Sequence, residues 1–301
     1  MVRRIGKMVL WLVLLALAGF AVLVAWNWDT IQRVMLGGVK VFETTPPALP
    51  ADLPRPAILV FSKTNGFRHE AAIPAANALF AGFAHDYGWG YFQTENGATF
   101  DPKILARFDA VVFNNVSGDV FLPRQREAFK AFIANGGGVV GIHGAGGDAT
   151  YAWAWYPDQL IGARFIGHPM GPQFQTATVR IEDRGHPATQ GLPASWSRVD
   201  EWYSFDKSAR REGYHILATL DEATYANKSG FGKDLAMGKD HPIAWWHCVG
   251  QGRVLYSAMG HLAAAYAEPN YRAMLLGATE WVLRRKGEGC GTPKTAQAPA
   301  R

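Results

Sequence analysis

Three histidines follow short apolar runs and stand near glycines. They are His69 in "SKTNGFRHE" (62–70), His143 in "GVVGIHGAGGD" (138–148) and His261 in "RVLYSAMGH" (253–261). An imidazole near neutral pH can move a proton, hydrogen-bond a ligand or ligate a metal ion. In many α/β hydrolytic folds a Ser or Cys nucleophile occupies the strand-to-helix turn where His143 stands. Asp148 closes the same glycine-rich turn. "VDEWYSFD" (199–206) adds Glu201 beside Trp202 and Tyr203.

Two chemistries follow from these residue types. In the first, His143 acts as acid/base with Asp148 or Glu201 as its orienting or second acid/base group. His69, Arg68, Asn115, His168, Trp202, Tyr203 and His261 then bind ligand. An aromatic pair beside carboxylates suits a sugar, whose C–H faces stack on rings while its hydroxyls meet carboxylates. In the second, His69, His143 and His261 hold a divalent metal ion such as zinc, although no HExxH spacing is present. Each residue also has a plain structural reading. His69 would cap the helix that follows it, His143 and His261 would brace their loops, and Trp202 or Tyr203 would be buried. His168, His186 and His241 each precede proline, which favours extended turns.

The elements that must position these residues are legible as periodicities. "AILVF" (57–61), "WGYFQTEN" (89–96), "FDAVVFNN" (108–115) and "GVVGI" (138–142) read as strands. Between them, Ile73, Ala76, Phe80, Phe83 and Tyr87 share one helical face, and residues 124–135 form a second helix. Strand–helix–strand alternation predicts an α/β fold with a doubly wound, mostly parallel sheet. "TATVRIED" (176–183), "HILATL" (215–220), "PIAWWHCV" (242–249) and "RVLYSAM" (253–259) predict a β-rich, partly antiparallel insertion or edge. A last helix spans about 271–285. In an open parallel sheet, ligands bind beyond the carboxyl ends of the strands. That rule gathers the three histidines at one rim.

Charge excludes one class of partner. The chain of 301 residues has a formal net charge of +5. From Ala57 to Leu283, however, 19 Lys and Arg stand against 21 Asp and Glu, a net of −2. The positive charge lies in the flanks, and nothing points to nucleic acid.

Residues 8–26 carry no charge, follow Arg3, Arg4 and Lys7, and are long enough to cross a bilayer. This predicts an uncleaved anchor over 1–27, a single pass through the inner membrane, and a globular domain facing the periplasm. A cleaved signal peptide is the rival. The juxtamembrane and Pro-rich stretch 28–56 is expected to act as a spacer holding the domain, residues 57–286, off the membrane. Residues 287–301 are expected to be a flexible tail. Cys248 is expected in the core, unpaired with Cys290.

The segments "ILVFSKTNGFRHEAAIP", "GGGVVGIHGAGGDATYAWAWYPDQLIGARFIGHP", "RGHPATQGLP", "DEWYSFD", "DHPIAWWH" and "GRVLYSAMGH" together resemble the trehalose-utilisation (ThuA-like) domain family. The resemblance covers most of 57–283, in order. It implies a flavodoxin-like fold of the class I glutamine amidotransferase-like superfamily and a carbohydrate or oxidised-carbohydrate ligand. Amidotransferases of that superfamily use a Cys where His143 stands, and an imidazole does not replace a thioester-forming thiolate. Relatives often read "GIHAATD" where this chain reads "GIHGAGGD", so no hydroxyl precedes Asp148. A non-catalytic sugar-binding module is the alternative to an enzyme.

Overall fold

The computed structural model describes residues 2–148, 151–229 and 232–291. Strands β1 (Ala57–Phe61), β2 (Gly90–Thr94), β3 (Ala110–Asn114) and β4 (Gly138–Ile142) alternate with helices. These follow α1 (Val2–Trp26) and α2 (Trp28–Met35) and are α3 (Ala72–Tyr87), α4 (Pro102–Leu105) and α5 (Pro123–Ala134). Then come β5 (Phe165–Gly167), β6 (Phe174–Ile181), β7 (Ser195–Glu201), β8 (Ser204–Phe205), β9 (His215–Asp221), β10 (Pro242–Val249), β11 (Gly252–Ser257) and α6 (Pro269–Val282).

Nine strands form one sheet in the order β2-β1-β3-β4-β11-β10-β9-β6-β7. The first five are parallel. They reproduce the flavodoxin-like order 2-1-3-4-5, with β11 as the fifth strand. The remaining four add antiparallel neighbours, as the sequence predicts. Every residue of β1, β3 and β4 is buried, which explains why these strands read as continuous apolar runs. Strand β7 was not legible: its exposed and buried residues interleave, and the buried ones include Arg198, Asp200 and Glu201.

Three expectations at the chain ends need correction. The stretch expected as a spacer lies along the domain. The Lys63 ammonium pairs with Glu43, whose other oxygen accepts the Gly97 amide at 2.8 Å. Gln125 Nε2 donates to the Glu43 carbonyl at 2.9 Å, and Asn65 Nδ2 to that of Val41 at 3.0 Å. Proline density predicted extension but not what the extended chain would lie against.

The cysteines form a disulfide, Cys248–Cys290, and Cys248 is exposed rather than buried in the core. Nor are residues 287–291 loose. Arg253 donates to the carbonyls of Trp281, Lys286, Gly287 and Gly289, and Trp281 Nε1 donates to that of Glu288. One guanidinium thus folds the chain back onto β11. Residues 292–301 lie outside the described residues. At the other end, Arg4–Trp26 is a helix long and apolar enough to cross a membrane, and an N-terminal signal sequence meets the same test.

Candidate functional site

The parallel strands end where the sequence placed the chemistry. Beyond β4, His143 has φ 43°, and beyond β3, Asn115 has φ 54°. Both lie in the left-handed region, which His and Asn enter more readily than most residues. This turn aims the His143 ring into the crevice. Its Nδ1 lies 2.7 Å from the carbonyl of Ala258, just past β11. A carbonyl only accepts, so Nδ1 carries the proton and Nε2 presents a lone pair. Tyr203 stacks on the ring at 4.2 Å between centroids.

That lone pair faces two groups from distant parts of the chain. His143 Nε2 is 3.2 Å from His261 Nδ1 and 3.4 Å from Glu201 Oε2, and the latter two atoms are 3.0 Å apart. The His69 ring lies 4.7 Å from both other imidazoles. One potential ligand atom from each of His69, His143, Glu201 and His261 falls within 4.8 Å of all the others. A Cβ on Gly144 would sit 2.9 Å from the His69 ring, so the glycine makes room for it.

Two members of the set, His69 and Glu201, are displaced from their ordinary protonation behaviour. Burial lowers the His69 pKa well below the usual imidazole value, and repulsion from His143 and His261 adds to it. His69 is therefore neutral. Burial opposes ionisation of Glu201, but the imidazoles of His143 and His261, within 3.4 Å of its Oε2, outweigh it and hold the carboxyl far below the usual range. Gln173 Nε2 donates to Glu201 Oε1 at 2.5 Å, with His168 Nδ1 3.2 Å from the same oxygen. Asp200, buried and paired with Arg198 at 3.1 Å, accepts the amides of Gly260 and His261 at 2.8 and 3.0 Å.

The fit to a metal ion rests on His69. It is buried, and neither ring nitrogen has a hydrogen-bond partner among the described residues. An unsatisfied buried polar group costs about 1–3 kcal/mol, so this ring is not a helix cap. Three imidazoles and a carboxylate are a donor set that zinc and similar divalent ions accept. His143 also donates its Nδ1–H to a backbone carbonyl, as metal-bound histidines do with the nitrogen that is not a ligand.

The other candidates divide. His168, Asp148 and Tyr203 line a cavity of about 560 Å³ above the cluster, with His69, Glu201 and His261 at its polar end. Asp148 accepts the Gly118 amide at 2.7 Å. Arg68 is taken up by Glu95 at 2.8 and 2.9 Å and does not line this cavity. Asn115 is a brace: it accepts from the Gly144 amide at 3.3 Å and donates to Tyr266 Oη at 3.1 Å. Trp202 is wholly buried with Nε1 bound to the Gln175 carbonyl, so it offers no platform to a sugar. No local pattern marks Gln173, Arg198 or the Ala258 carbonyl, because each acts across a long stretch of chain.

The sequence pattern of the ThuA family, described as trehalose utilisation, matches residues 57–282. The chain belongs to the ThuA family. Among solved structures it resembles a ThuA-like protein from Bacteroides uniformis, with 26% identity and a TM-score of 0.66, covering 79% of this chain and 95% of that one. A ThuA-like protein from Parabacteroides merdae shares the fold at 18% identity and TM-score 0.58, over 79% and 93% of the two chains. No curated protein matches. For this ThuA member the expected α/β, flavodoxin-like architecture is therefore the observed one.

Proposed function

We propose that this ThuA protein is a membrane-anchored enzyme that acts on a carbohydrate or oxidised-sugar ligand at a divalent metal site. One observation carries the reading. Four ligand atoms from His69, His143, Glu201 and His261 converge within 4.8 Å, and the buried His69 has no other partner among the described residues. These four residues would hold a divalent ion, which when bound would supply Lewis-acid polarisation of a sugar hydroxyl or carbonyl oxygen. Family membership supports a sugar, α1 supports the anchor, and Arg3, Arg4 and Lys7 ahead of the apolar stretch favour a periplasmic domain.

The chain's own groups then have distinct tasks. His143, first read as an acid/base, becomes a ligand whose proton is fixed on Nδ1 by Ala258. His168 is the proton carrier: its Nδ1 proton lies between the Pro169 carbonyl, at 3.0 Å, and Glu201 Oε1. Its Nε2 keeps a lone pair, and the ring lines the cavity. Asp148 supplies a carboxylate on the same wall for hydroxyl binding or a second proton transfer. Tyr203 holds His143 in place.

The test is metal content and turnover on the same preparation. The chain purified from zinc-supplemented cells should carry stoichiometric metal, lost in His69→Ala and Glu201→Gln. A panel of disaccharides and their keto derivatives should show turnover that chelation abolishes. Metal-free protein with undiminished turnover would refute the metal, and binding without turnover would leave a carbohydrate-binding module.

A further inference from the structure

The cavity above the cluster has two tiers. Its floor is polar and carries His69, Glu201 and His261, while Val34, Met35, Phe67 and Met170 also line it. These four apolar side chains are exposed, Met35 by 75% and Met170 by 53%. A free sugar gains little from most of this rim: none of the four side chains offers it a hydrogen bond, and only Phe67 offers a flat ring face. They are suited to a conformationally loose apolar chain.

The rim also has a telling origin. Val34 and Met35 belong to α2, which Asn27 alone separates from the apolar helix α1. Arg33 fixes α2 to the site, its guanidinium donating to the Thr64 carbonyl at 2.6 Å, and the Val39 amide reaches the Asn65 carbonyl at 2.7 Å. From Trp26, the last residue of α1, to Arg33 is seven residues, about 10 Å at helical rise. If α1 spans a bilayer, the rim lies at its surface, because no spacer lifts the domain away. Phe174, 39% exposed and 4.9 Å from the His261 ring, extends the apolar surface beside the site.

We propose that the ligand is amphiphilic: the saccharide head of a membrane glycolipid, bound at the His/Glu floor, with its hydrocarbon chain lying across Val34, Met35, Phe67 and Met170. This substrate class rests on the carbohydrate reading above and deepens it.

The experiment uses the full-length chain in phosphatidylcholine nanodiscs. They are doped with a diacylglycerol glucoside carrying a diazirine on its acyl chain, or with a diazirine phosphatidylcholine as control. Photolabelled peptides are mapped by mass spectrometry. The glucoside should label the peptides holding Met35, Phe67 and Met170, and the control lipid should label only α1. Met35→Glu and Met170→Glu should each cut rim labelling about tenfold, the cost of losing one buried apolar contact, with metal content unchanged. Equal rim labelling by both lipids would overturn the proposal, as would chain-to-chain cross-links at Met35, which would make the rim a dimer contact. Free disaccharide binding as tightly as the glucoside, indifferent to Met35→Glu, would sink the lipid and leave the carbohydrate reading intact. Failure of that reading shows separately, as no binding of either sugar.

Discussion

His143 Nδ1 lies 2.7 Å from the carbonyl of Ala258, 115 residues further along the chain. This bond ties the turn after β4 to the end of β11, fixes the imidazole tautomer and turns the Nε2 lone pair towards Glu201 and His261. His143→Ala should therefore remove both a ligand and the link. Metal retention should be lost after dialysis, while far-UV circular dichroism stays that of the parent because the sheet lies outside the change. A variant that keeps stoichiometric metal would show that His143 is only a brace.

Asp200 positions the site without touching it. It accepts the amides of Gly260, His261 and Glu201 and pairs with buried Arg198. Breaking a buried pair costs about 3–5 kcal/mol. Arg198 retains Glu268 at 3.1 Å, so Asp200→Asn should fall near the lower figure in urea unfolding. Metal affinity should drop about 10–100-fold, the usual effect of losing a group that orients ligands. Affinity measured by chelator competition and unchanged from the parent would contradict the positioning role.

Gly144 and Gly82 offer a contrast of opposite sign. A Cβ at Gly144 meets the His69 ring at 2.9 Å and the backbone of Asn115 at 3.3 Å, so Gly144→Ala should push His69 out of the cluster and weaken metal binding. Gly82 lies within α3 with nothing within 4 Å of its would-be Cβ. Gly82→Ala should stabilise by up to about 1 kcal/mol through helix propensity, with metal affinity untouched. Equal effects of the two on metal would mean that space beside His69 is immaterial.

How much of this was legible beforehand varies by residue. His69, His143 and His261 could be found because each follows a strand-like run, and strand ends converge on one rim in this kind of sheet. Glu201 was singled out for its aromatic neighbours, yet its role comes from His143 and His261, and Trp202 beside it is core. Gln173 had no local signature, and Asp200 stood out only as a second carboxylate beside the aromatics, since a hydrogen bond between residues 28 or 60 positions apart leaves no period in the sequence. The wall formed by α2 was hidden for the same reason: composition marked 28–56 as a spacer, and contacts such as those of Arg33, Val39, Val41 and Glu43 reveal its attachment.

The disulfide was missed because Cys290 belongs to a Gly-rich tail, which Arg253 and Trp281 bring home. The two cysteines are 42 residues apart, and closing such a loop in the unfolded chain is worth about 4 kcal/mol in the chain-entropy view. Cys248→Ser with Cys290→Ser should lower stability by roughly that amount in denaturant titrations, with metal content preserved because the bond lies away from the cluster. Loss of metal in the double variant would show that the tail supports the site.

His186 sets an acid limit on stability. Burial lowers its pKa from 6.5 to about 4, opposed by Asp183 and reinforced by the nearby charges of Arg253 and His215. Its Nδ1 accepts the Ala188 amide at 3.1 Å, and the ring packs on Trp246 and Trp281. The folded pKa lies below the unfolded one, so between pH 6.5 and about 4 the unfolded chain binds a proton that the native protein refuses. Stability should fall with acidification across that window, by at most about 1.4 kcal/mol per pH unit from this group. Above pH 6.5 it contributes no slope. His186→Asn removes the titration and should flatten the acid limb relative to the parent, at the expense of packing at all pH values. An acid limb of undiminished steepness in that variant would assign the slope to other groups.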